Sequence, residues 1–202
     1  RVTGVQTCAL PIWINMKKWL IALLLALPTL TFAQDVLDTG DTAWMMMSTA
    51  LVLLMTPAGL ALFYGGMTRS KNVLNTYAMV FGAFVVAFIV WIVAGYSIAF
   101  GTAESASVQN VIGGFSHVML SGISWNDLSG TYPTYVFVVF QGTFAAITVA
   151  IASGSVIERI KFSTWLVFVA LWGLVVYAPI THMVWGGDGA LLFDAGALDF
   201  AG

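Results

Sequence analysis

Lysine and arginine are nearly missing from this chain: seven in 202 residues, and only four of them after the first two dozen positions. A basic face for nucleic acid cannot be assembled from so few, so nucleic acid is excluded as a partner. Cysteine is reduced to Cys8, outside every long apolar run, which excludes a disulfide and a cysteine-based metal site. Charged residues of both signs make up only 8% of the chain, against about 25% in soluble domains. With 60% hydrophobic residues the chain cannot cover itself with polar groups, and its solvent is the lipid bilayer. Charge is also missing from the middle of each long apolar run. The usual marker of a proton relay or ion pathway, an intramembrane carboxylate or lysine, is therefore lacking.

What basic charge there is falls in two tight clusters, Arg69 with Lys71 and Arg159 with Lys161. Each sits in a short polar break between apolar runs. The other two breaks, around Glu104–Asp127 and Asp188–Asp199, carry acids and no Lys or Arg. That alternation is what the positive-inside rule produces in a chain that crosses a membrane four times. The expected fold class is all-α, a polytopic bundle of membrane helices.

The N-terminal residues read as targeting rather than fold. Met16-Lys17-Lys18 is a basic n-region, Trp19 to Leu27 a short apolar h-region, and Thr31-Phe32-Ala33 a small-residue cleavage site, so 16–33 is expected to be a secretory signal peptide. Residues 1–15 carry no targeting logic and read as translated adapter or upstream sequence. The mature protein, 34–202, then starts outside and is expected in the cell (inner) membrane. Its spans are placed at about 43–64, 77–100, 132–156 and 163–183. The first is about 33 Å as a helix, with a kink expected at Pro57 and Gly59. Trp91 and Tyr96 are expected near the outer interface. Ala146, Ala150 and Gly154 form a stripe that lets another helix approach closely.

Polar residues inside the spans are few: Ser48, Thr49, Thr56, Gln141, Thr143, Thr148 and Ser153. Phe140 and Phe144 lie one helical turn apart on one face, in the outer half of the third span. Stacked rings can occlude a narrow passage or attract a small cation, and two Phe in a membrane helix also simply pack. Trp185 reads as an interfacial anchor, and Asp199 as the N-cap of a following helix, from where it could favour a cation at the outer mouth. His117 and His182 both read as lying near the outer surface, solvated or structurally bonded. No Cys/His cluster supports a metal, and no cofactor is expected. Ser153-Gly154-Ser155 lacks the glycine of a nucleophile elbow and has no histidine partner in a span, so an enzyme is not expected.

Several stretches resemble the ammonium transporter (Amt/MEP/Rh) family. Ala61-Leu62-Phe63-Tyr64-Gly65-Gly66 with Arg69 and Lys71-Asn72-Val73-Leu74 resembles its first cytoplasmic turn. Phe140-Gln141-Gly142-Thr143-Phe144-Ala145 with Glu158-Arg159 resembles its third span and following turn. His182-Met183-Val184-Trp185-Gly186-Gly187 and Gly196-Ala197-Leu198-Asp199-Phe200-Ala201-Gly202 resemble its next external segment. The resemblance covers nearly the whole mature chain in order. It implies an eleven-span protomer of two inverted repeats, a homotrimer with one pore per protomer, and a PII-type signalling protein as cytoplasmic partner. It also implies ammonium or ammonia as substrate. Trp185 and Phe144 would line an external recruitment site, Phe140 and Phe144 the outer constriction, and Asp199 would organise the site from behind. The family's paired pore histidines, recruitment-site serine, second gate phenylalanine and second repeat would lie beyond Gly202. The chain is thus expected to be an N-terminal fragment that does not transport alone. Two rival readings are an ammonium sensor of the same fold and a channel for another small neutral solute such as urea.

Overall fold

The computed structural model describes residues 36–199. The segments read as adapter translation and signal peptide lie outside the described residues. Four helices long and apolar enough to cross a membrane dominate: α1 (Thr39–Met67), α2 (Ser70–Phe100), α4 (Thr134–Val156) and α5 (Phe162–Trp185). The loop between α2 and α4 carries a short helix, α3 (Ala106–Gln109). It also carries a minimal hairpin, β1 (Leu128–Ser129) against β2 (Tyr132–Pro133). A last short helix, α6 (Leu191–Asp194), succeeds α5.

The helices begin and bend for local reasons. Asp38 caps α1, its Oδ1 accepting from the Asp41 N–H at 2.9 Å. Its own N–H donates to Thr131 O at 2.8 Å, which fastens the hairpin to the start of α1. Pro57 has no N–H to give the ladder. Instead of breaking there, α1 widens into a π-helical turn over Met55–Leu60 and continues. A second such turn, Gly173–Tyr177, immediately precedes the segment holding Pro179 in α5, and a third lies at Trp91–Gly95 in α2. Single wide turns of this kind re-aim the side chains beyond them. In α2 and α5 they precede the C-terminal ends, where the candidate site is built.

The central pair is α2 with α4, flanked by α1 and α5. Small residues permit it: Ala83 and Ala87 face Ala146 and Ala150, all nearly or fully buried, with Met79, Val149, Trp165 and Val169 closing the core. Gly154 completes the stripe against the Tyr64 ring, whose hydroxyl donates to Ile151 O at 2.8 Å. Dispersion between close backbones, not the hydrophobic effect, holds such contacts in lipid. The Trp165 indole N–H donates to Met79 O at 2.9 Å.

Trp91 and Tyr96 turn into the bundle rather than toward its surface. They are 2% and 6% exposed and belong to a second buried cluster with Ile98, Ala99, Val138, Ala145 and Ala178. The Trp91 N–H is satisfied internally by Val138 O at 3.1 Å, so the ring has no need of the headgroup region. Gly142 makes this packing possible. A methyl group there would lie 2.8 Å from the Phe88 ring and 2.9 Å from Trp91. Gly142→Ala is therefore expected to destabilise the bundle by about 1–3 kcal/mol, visible as a lower melting temperature in detergent. An unchanged melting temperature would show that the Phe88 ring swings aside without penalty.

Both basic turns lie at one end of the bundle, because they touch. Arg69 Nη2 donates to Glu158 Oε2 at 2.6 Å and Asn72 Nδ2 to Oε1 at 2.6 Å. The Arg69 guanidinium, followed by the Asn72 amide, holds the Glu158 carboxyl down to about 2 from its ordinary 4.5. A lowered carboxyl stabilises in full above its ordinary 4.5 and loses that contribution progressively as pH falls from there through about 2. The pair is ionised throughout the physiological range. Glu158 adopts the left-handed φ of 68°, unusual without glycine, and these bonds hold it there.

Candidate functional site

At the opposite end, α4 presents Phe137, Phe140 and Phe144 on one face, at the i, i+3, i+7 positions of a helix. The end of α2 brings Phe100 against them, and the end of α5 brings Trp185. The chain then returns past α6 so that Asp199 faces Trp185. Together with Gln141 these residues line one cavity of about 370 Å³. All four side chains singled out from the sequence, Phe140, Phe144, Trp185 and Asp199, are in it. The helix that Asp199 is expected to cap lies outside the described residues.

The geometry is specific. The Phe140 and Phe144 rings meet edge to face, centroids 5.0 Å apart and planes at 75°. Phe100 and Phe137 do likewise at 5.0 Å and 69°. The Trp185 indole N–H donates to Asp199 Oδ2 at 3.1 Å. The carboxylate thus meets the edge of the indole rather than standing free in the cavity. Trp185 is 40% exposed, as a residue at a mouth should be. Thr143 and Thr148 turn their hydroxyls inward onto the carbonyls of Phe140 and Phe144, both at 2.6 Å, so Gln141 is the polar side chain that α4 adds to the cavity wall. On the far side of the Trp185–Asp199 pair a second cavity of about 280 Å³ is lined by Thr148, Trp172, Tyr177, Ile180, Thr181 and Val184.

Sequence reading missed Phe100, Phe137 and Gln141 as wall residues. The helical spacing of Phe137 relative to Phe140 and Phe144 carries the signal for one of them; Phe100 needs the tertiary contact. The two histidines also separate. His117 remains in the loop, its Nδ1 3.0 Å from Ser121 O and its ring against Tyr96. His182 is not at the surface. It is fully buried in α5, with Nδ1 2.9 Å from Ala99 O and Nε2 2.7 Å from Gln109 O. Both ring nitrogens are thus occupied by backbone oxygens and face no other side-chain ligand. Among the described residues no group of three or more His, Cys, Asp or Glu is placed to hold a metal ion.

An apolar aromatic mouth with one carboxylate behind it can do little chemistry on covalent bonds. It can attract and hold a small cation, since ring faces supply negative potential without the proton-accepting groups that would trap it.

Comparison with known proteins agrees with this architecture. A family model described as the Ammonium Transporter Family matches residues 43–202. The chain is 49% identical over 166 residues to the ammonium transporter of Aquifex aeolicus, covering 82% of this chain and 38% of the relative. It is 45% identical over 168 residues to that of Bacillus subtilis, covering 82% and 40%. The crystal structure of Candida albicans Mep2 superposes with a TM-score of 0.71 at 34% identity, covering 82% of this chain and 35% of that one. The chain therefore spans well under half the length of these relatives. With the family model covering most of the chain and four apolar spans packed as described, this multi-pass membrane protein belongs to the ammonium transporter family.

Proposed function

We propose that this chain supplies the outer recruitment site of an ammonium transporter. Ammonium is drawn to the mouth by Trp185 and Phe144, gives up a proton to the water of the mouth at the constriction formed by Phe140 and Phe144, and crosses as ammonia through an apolar pore completed by later spans. The observation that carries this reading is the convergence of Phe140, Phe144, Trp185 and Asp199 on one cavity. The division of labour follows from magnitudes. Removing water from an ammonium-sized ion costs several kcal/mol even after relaxation. A desolvated cation–π contact returns about 2 kcal/mol. Two rings therefore cannot offset complete dehydration, and the cation is held at the mouth only partly stripped. Entry into an apolar passage then requires loss of the charge.

Asp199 acts through the indole. A carboxylate accepting the Trp185 N–H pushes electron density into the ring and strengthens its face toward a cation, without touching that cation. In the same reading the substrate is ammonium or ammonia, the assembly is a homotrimer in the cell membrane, and a PII-type signalling protein is the partner at the cytoplasmic face.

The test is saturable flux through the complete transporter in proteoliposomes. Ammonium and methylammonium are expected to compete with each other, and urea is not. Equal competition by urea would replace cation recruitment with a neutral-solute channel.

The orientation is tested separately. The Arg69/Lys71 and Arg159/Lys161 turns are expected to face the cytoplasm, since they hold the only basic residues of the described segment. In intact cells an impermeant thiol reagent should modify Asn110→Cys but not Asn72→Cys. Labelling at position 72 from outside would invert the topology.

A further inference from the structure

We propose that His182 is a positioning residue of the outer site, a latch that sets the distance between Trp185 and the Phe100 wall. The inference rests on the reading of the outer cavity as the ammonium site. His182 touches none of the cavity itself. It is fully buried one turn before Trp185 on the same helix, so whatever fixes its ring fixes the turn from which Trp185 projects.

What fixes the ring is a pair of backbone carbonyls from two other elements. Nδ1 lies 2.9 Å from Ala99 O and Nε2 lies 2.7 Å from Gln109 O. Ala99 is the residue before Phe100 at the end of α2, and Gln109 ends α3. The final carbonyls of a helix have no intrahelical partner, so a ring N–H placed here satisfies an acceptor that burial would otherwise leave orphaned, and both ring edges are held by backbone. A single side chain thus joins three elements, two of which place cavity walls.

The surroundings are built for this ring. A Cβ on Gly186 would lie 2.6 Å from His182 Nδ1 and Cε1, so only glycine lets the helix end there with the ring in place. Gln109 in turn accepts the Ala103 N–H at 2.7 Å through its side chain, which holds α3 and its carbonyl against the latch. Just past α5, the Leu191 N–H donates to Asn110 O at 3.0 Å and ties the segment leading toward Asp199 to the same loop.

The experiment is ammonium saturation kinetics of the complete transporter in proteoliposomes, with folded protein quantified. Three variants, His182→Gln, His182→Leu and Trp185→Leu, are measured in parallel. A glutamine can reach one carbonyl and a leucine neither. KM is therefore expected to rise in the order His, Gln, Leu, by roughly ten-fold for the loss of a buried bond, with maximal flux per folded protein little changed. That split between KM and flux, and partial rescue by glutamine, would not arise from a role in folding alone. An unchanged KM in folded His182→Leu overturns the proposal. Where no His182 variant folds, Gly186→Ala decides: it displaces the ring but keeps its donors, so a raised KM supports the latch and an unchanged KM overturns it. An unchanged KM in Trp185→Leu refutes the recruitment reading itself, whereas a raised KM there with a normal one in the His182 variants refutes only the latch.

Discussion

Asp199→Ala in the complete transporter is expected to abolish measurable ammonium uptake and to lower the folded yield. The carboxylate is the hydrogen-bond partner of the Trp185 indole, at 3.1 Å. A hydrogen bond to a charged group is worth about 1.5–3 kcal/mol, so its loss alone predicts a ten- to hundred-fold weaker site, roughly. Alanine also removes any cap that Asp199 supplies to a helix beginning after it, a further cost of about 0.5–2 kcal/mol. Asp199→Asn separates the two contributions. Its amide oxygen still accepts the indole N–H, and asparagine caps a helix as well as aspartate does. Position is kept and charge is lost. The Asn variant is expected to fold and to take up ammonium with a raised KM, because the indole face is no longer polarised by a carboxylate. Full uptake at normal KM with asparagine would show that the charge has no part in recruitment and that Asp199 only holds Trp185 in place.

The spans were legible because length, apolarity and the alternation of basic and acidic breaks are local properties that need no neighbours. Tyr64 to Lys71 already reads as the end of one span and a basic turn. The meeting of that turn with Glu158 is a contact across the bundle, which no local pattern announces. Pro57 foretells a disturbance, but whether the helix breaks or widens depends on whether adjacent helices hold it, and α1 widens and runs on. Trp91 and Tyr96 show the limit most directly. Their amphipathic rings fit a headgroup region by composition, yet Val138 O offers the Trp91 N–H a partner inside the bundle. For the site, Phe140 and Phe144 share a face by spacing alone. Trp185 and Asp199, fourteen residues apart with a short helix between them, are joined only by the fold. His182 was legible as structurally bonded; its burial and its two partners were not, since both partners are backbone atoms.

Trp185→Leu is the second substitution expected to have a large effect, and the one on which function and packing make different demands. The ring contributes three things: a face toward the cavity, an N–H to Asp199 and apolar surface at the mouth. Leucine keeps the last and removes the other two. A desolvated cation–π contact is worth up to about 2 kcal/mol, so the apparent affinity for ammonium should fall by tens-fold at most. Discrimination against a neutral solute of similar size should fall with it, because what is lost acts on charge. Assembly should be little affected, since Trp185 is 40% exposed and makes its polar contact within its own chain. Phe144→Ala is expected to behave differently. Phe144 is held edge to face against Phe140 at 5.0 Å and walls the cavity, so truncating it opens the constriction and removes packing at once. Its effect should fall on maximal flux and on selectivity against water as well as on KM. Unchanged affinity and selectivity in Trp185→Leu, together with a destabilised assembly, would make Trp185 an interfacial anchor, and the recruitment assignment would fail.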